Sequence, residues 1–145
     1  MGLRAIFSFE AIDSTKDLCD LFAYLFNKGI YFGGKLTIDN SNKIVNVSPF
    51  RLISHDGMHV MSDTVIPIEI KSNGTYYVVC KAKYEIDKEP LIEVSIKTQQ
   101  QIETDSLKNY YVTFGIISIT DTEQSVLYEG VRDVINPIGG KSEGV

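Results

Sequence analysis

The side chains able to carry chemistry are few and scattered in this sequence. His55 and His59 are its only histidines, and they share the spacing of the second half of a zinc finger. Asp56-Gly57 lies between them and reads as a hairpin turn, because the central positions of a type I′ turn need positive φ. A two-residue turn pairs His55 with Met58 and His59 with Ser54, so the rings face opposite sides. A three-residue loop would bring both rings to one face. In neither case does a Cys-x-x-Cys supply partner ligands, since Cys19 and Cys80 stand alone. The histidines therefore read as turn-flanking surface residues, and no metal or other cofactor is expected. Both cysteines read as reduced, buried small hydrophobes, with no disulfide framework.

Other catalytic patterns are equally thin. Asp39, Asp56, Asp87 and Asp121 fall in turns, and Glu69 and Glu93 fall on faces expected to be wet. No pair stands out as two carboxylates held across a cleft. There is no G-x-S-x-G elbow. Gly33-Gly34 follows an apolar run, yet no Lys-Ser/Thr pair or helix comes after it, as a phosphate loop requires. No catalytic, cofactor-binding or metal-binding residue is assigned on these grounds. Tyr31, Tyr77, Tyr110 and Tyr111 could make an aromatic face for stacking on sugar rings. Tyrosine is also a common strand and interface residue, so core and subunit-contact roles compete with that reading.

The chain carries 145 residues and a formal charge of -5. A nucleic-acid binder needs a basic footprint, so none is expected as partner. No apolar run approaches the roughly 18 residues of a membrane span, and no membrane partner is expected. The first residues lack the apolar core and cleavage site of a secretory leader. Ile6 stands where a myristoylation signal has Ser or Thr.

The elements that must position these residues are mostly short strands, and the stretch from 29 to 61 sets the pattern. Residues 30–38 run into Asp39-Asn40-Ser41-Asn42. Residues 44–47 run into Ser48-Pro49, and 50–53 into His55-Asp56-Gly57 before 58–61. Such regular punctuation predicts a mainly β fold, a small antiparallel sandwich or barrel. Before it, residues 3–9 have the weight of a first strand. Residues 14–28 then make one short α-helix, capped by Ser14, with Leu18, Leu21, Phe22 and Leu25 on one face and Gly29 as its stop.

Further on, residues 65–71 alternate cleanly, and Pro67, which has no N–H, makes them an edge strand or a bulge. Residues 76–84 and 91–97 follow as a meander, with Lys81 and Lys83 on its solvent side. Residues 98–108 read as a loop. Residues 110–120 form a strand whose alternation slips at Gly115, as at a bulge, and 126–135 a short edge strand. Residues 1–136 are thus expected as one β-rich domain and 137–145 as a flexible tail.

In order, FNKG closing a helix, GIYFGGKLTI, IVNVSPFRLISHDGMHVM, IPIEIKSNGTYYVVCKAKYE, LIEVSIKT and YYVTFGIISIT resemble the β-rich N-terminal or adaptor modules of tailed-phage baseplate and tail-fibre proteins. The likeness covers roughly residues 15–120. It departs at Phe50, where that pattern has a small residue or glycine after Ser-Pro. The resemblance implies a non-catalytic virion component of the tail, baseplate or fibre-attachment region, made in the host cytoplasm. Its partners would be other virion proteins and copies of itself in a homo-oligomer. The alternative is a carbohydrate-binding module of a host-recognition apparatus, with a host-surface glycan as partner.

Overall fold

A computed structural model of the chain describes residues 15–85 and 88–129. The strand expected at 3–9, the Ser14 cap and the tail at 137–145 lie outside them. One helix, α1 (Thr15–Leu25), precedes six short strands: β1 (Gly29–Gly33), β2 (Leu36–Asp39), β3 (Ile44–Val47), β4 (Phe50–Ile53), β5 (His59–Ser62) and β6 (Ile66–Glu69). The longer β7 (Gly74–Lys83) and β8 (Leu91–Lys97) follow. After them come α2 (Gln99–Glu103), a 3-10 turn at Lys108–Tyr110, β9 (Tyr111–Ile119) and β10 (Gln124–Glu129).

All strand pairs are antiparallel, in three sheets ordered β1-β4-β5, β2-β3-β6 and β10-β9-β7-β8. The first two sheets are halves of one. Three chain segments pass from one half to the other, at Gly33-Gly34-Lys35, at Ser48-Pro49 and at residues 63–65. Pairing continues across the crease: the Ser48 N–H donates to the Lys35 carbonyl (2.9 Å) and the Gly34 N–H to the Pro49 carbonyl (3.2 Å). The expected single run 30–38 is therefore broken at Gly33-Gly34, and Ser48-Pro49 bends the sheet rather than reversing the chain. Gly33 (φ +65°) is needed there, since a Cβ would stand 1.8 Å from the Pro49 carbonyl oxygen.

The fold is mainly β, in the layering of a small sandwich. The β2-β3-β6 half lies over the inner face of the four-stranded sheet, with β2 beside β10 and β6 beside β8 at the margins. Val45, Val47 and Ile70 from one layer meet Val78, Cys80, Ala82, Val112, Ile117 and Ile119 from the other. Phe50 packs edge-on against Phe114 (centroids 4.8 Å apart), tying the crease to the same core. β6 is an edge strand, one of the two placements open to Pro67, and the slip near Gly115 is a bulge: Gly115 pairs with Val78 but Thr113 with Val79.

Two expectations for the outer face of the four-stranded sheet are corrected. Residues 98–108 are not a plain loop but contain α2, whose Thr98 and Gln101 form a reciprocal capping box. This segment covers part of the sheet that alternation marked as wet. Val79 and Tyr111 are buried although they point away from the main core, and Lys81 is drawn into an ion pair.

Candidate functional site

The hairpin β4-β5 positions the histidines. The Ser54 N–H donates to the Met58 carbonyl (2.8 Å) and the Gly57 N–H to the Ser54 carbonyl (3.0 Å), so His55-Asp56-Gly57 is a three-residue loop rather than a two-residue type I′ turn. Gly57 takes the positive φ (+83°) that ends such a loop. The histidines nevertheless go to different neighbours. His55 lies edge-on against Tyr110 (5.1 Å), whereas His59 Nε2 hydrogen-bonds the Tyr31 hydroxyl. Burial lowers the His59 pKa below its ordinary value, and the nearby Arg51 charge lowers it further. Among the described residues, no three His, Cys, Asp or Glu side chains gather as a metal site would need.

Most of the remaining polar groups are engaged in holding the fold. The Ser54 hydroxyl donates to Asp56 Oδ1 (2.5 Å) and accepts from the Met58 N–H (2.9 Å), while Asp56 Oδ2 accepts from the Tyr84 N–H (2.6 Å). Asp56 thus staples the β4-β5 loop to the end of β7. Gly57 makes a second attachment: a Cβ there would lie 1.8 Å from the Cys19 carbonyl oxygen and 2.6 Å from the Ala23 nitrogen. The α1 backbone therefore rests directly on the loop, through its Cys19–Ala23 side.

Asp105 anchors the α2 segment. Its Oδ2 accepts from Lys81 Nζ (2.7 Å) and from the Tyr111 hydroxyl (2.7 Å), and its Oδ1 from the Leu107 N–H (2.8 Å). The Lys81 bond, then the Leu107 and Tyr111 bonds, hold the Asp105 carboxyl well below the usual carboxylate range. Burial, followed by this carboxylate, raises the Tyr111 phenol. Both cysteines are buried thiols; burial and then the Glu93 charge push Cys80 up to about 12, far from a nucleophile's range.

Asp39 accepts from the N–H groups of Ser41 (3.0 Å) and Asn42 (3.2 Å) within its own turn, whereas Asp121 accepts from the Asn73 amide (2.7 Å) and ties the β9–β10 connection to the segment before β7. Asp87 lies outside the described residues. The four tyrosines do not share one platform: Tyr31 is on β1, Tyr77 on β7, Tyr110 on the 3-10 turn, and Tyr111 is buried on β9.

What the sequence did not single out is the outer face of the β1-β4-β5 half. A register shift between Ile30 and Phe32 turns both Tyr31 and Phe32 outward on the edge strand β1. Phe32 pairs with Arg51, and Arg51 with Met61, making one row across all three strands. The Arg51 guanidinium lies 5.9 Å from the Phe32 ring centroid and reaches Met61 Sδ and Asp63 Oδ1, each at 3.9 Å. Ile30, Leu52 and Val60, on the opposite face, are core.

No family model, curated protein or solved structure matches this chain. Among the described residues, no helix is long and apolar enough to cross a membrane.

Proposed function

We propose that this chain is a non-catalytic structural component of a tailed-phage particle, placed in the tail, baseplate or fibre-attachment region and working through contacts between subunits. The observation that carries the assembly part is the outer face of β1-β4-β5. It shows large apolar side chains on both margins of a small sheet, while Asp56 and Asp105 elsewhere hold loops to strands. The phage placement rests on the sequence resemblance. Phe32, Met61 and Tyr31 standing together on one sheet face make it the candidate contact surface, and β1 and β5 flank it as edges among the described strands. The glycan-binding alternative retains Tyr31 but loses the four-tyrosine face that suggested it.

Peptide mass spectrometry on purified particles, with copy-number estimates, tests the proposal. Several copies of this chain per particle are expected. Its absence from particles of the producing phage would overturn the assignment.

A further inference from the structure

We propose that the outer face of the β1-β4-β5 sheet is a two-fold contact between copies of this chain, with Phe32 and Met61 interleaved at its centre and Arg51 of each copy set against Asp63 of the other. The inference rests on the assembly reading above and names its partner.

Three observations favour a second copy as the occupant. The first is apolar surface: Phe32 is 57% exposed, Met61 46% and Tyr31 43%. At ~150–250 Å² for an aromatic side chain this amounts to roughly 300 Å² of apolar surface in one patch. That is well under the ~800 Å² per partner of a standard stable interface. The contact suits reversible pairing, strengthened where neighbours in an assembly hold the copies together.

The second observation is self-complementary charge. Arg51 and Asp63 sit in the same patch with side chains 43% and 82% exposed, and their mutual contact is a long 3.9 Å. The guanidinium also lies against the Phe32 ring and the weakly accepting Met61 sulfur, the latter again at 3.9 Å. Arg51 can therefore donate a close, two-pronged pair of hydrogen bonds to an incoming carboxylate. A two-fold interface presents the same patch from both sides, so the Arg51–Asp63 pair forms twice, once for each arginine.

The third is the setting. Two chains that each carry -5 repel over most of their surfaces. In this patch one arginine balances one aspartate, and the neighbouring His59 is held toward its neutral form. The Arg51–Asp63 pair thus adds no net charge where two copies approach. Sheets packed face to face stand ~10 Å apart, a gap that one layer of Phe, Met and Tyr side chains from each side fills by interdigitation.

Sedimentation velocity on the purified chain tests this with two charge reversals. Arg51→Asp leaves only acidic charge in the pair, and Asp63→Arg only basic charge. The wild-type chain should associate with rising concentration, and each variant alone should pair about tenfold more weakly or worse. An equimolar mixture of the two should recover association, because the mixed pair alone brings opposite charges together at both contacts. Phe32→Ser should weaken pairing without any change of charge. A wild-type chain that stays monomeric up to about 1 mM, variants that pair as well as wild type, or a mixture no better than its components would each overturn the inference. The particle proteomics stands apart. A chain found in particles but monomeric here loses only the two-fold contact, whereas one that pairs by this rule but is missing from particles loses only the virion assignment.

Discussion

Gly57→Ala should be among the most damaging single-methyl additions in this protein. The added Cβ would lie 1.8 Å from the Cys19 carbonyl oxygen and 2.6 Å from the Ala23 nitrogen, where real contacts stay beyond 3.0 Å. Both atoms belong to helix backbone, so no side-chain rotation relieves the overlap. Either α1 lifts off the β4-β5 loop or the loop moves off the sheet. Overpacking of this kind costs about 1–3 kcal/mol, and alanine at φ +83° adds about 1–2 kcal/mol. The sum is about 2–5 kcal/mol. With a urea m-value of about 2 kcal/mol/M, the unfolding midpoint should fall by roughly 1–2.5 M.

Gly57→Asn separates the two causes. Asparagine tolerates a left-handed backbone better than alanine does, but its Cβ meets the same helix atoms. It should therefore regain little. Urea melts followed by circular dichroism read all three proteins. An unchanged midpoint for Gly57→Ala, or a near-normal one for Gly57→Asn, would refute the direct seating of α1 on this glycine.

Asp56→Ala removes acceptors from both the Ser54 hydroxyl and the Tyr84 N–H, and should cost about 2–3 kcal/mol in a denaturant melt. Hydrogen exchange at the Tyr84 amide should rise with it. Cys80, with its thiol raised to about 12, should resist alkylation at pH 8 in the native chain and react on unfolding; mass spectrometry of labelled peptides checks this. Asp105 has a folded pKa below its unfolded value, so the native state holds fewer protons there. Its contribution is full above the ordinary carboxylate pKa near 4 and is lost as pH falls through the depressed folded value. Asp105→Asn should flatten that limb of an acid-unfolding curve.

Signals confined to neighbouring residues were legible in the sequence. The hairpin turn after Asp39, the edge-or-bulge placement of Pro67, the bulge near Gly115 and the bounds of β8 all follow from local chemistry. The capping box Thr98-x-x-Gln101 was equally local and would have located α2. What stayed hidden depends on distant partners. Gly33 is required by the Pro49 carbonyl, and Gly57 by the α1 backbone. Lys81 looks like a solvent-side lysine until Asp105 arrives from beyond the next strand. Alternation reports which residues share a face, but not whether a later segment covers it, and so Val79 and Tyr111 could not be read as buried. The histidine pair shows the same limit. Counting the loop correctly still leaves His55 with Tyr110 and His59 with Tyr31, two partners from opposite ends of the chain.

The crease between the two half-sheets has a mechanical meaning. Three stretches of backbone cross it, at Gly33-Gly34-Lys35, at Ser48-Pro49 and at residues 63–65. A tug on the outer half is divided among three covalent lines and delivered to the strands packed on the four-stranded layer. A glycine-bearing fold across a sheet thereby becomes a stiff joint: it sets the angle between two surfaces while letting neither be pulled away by itself.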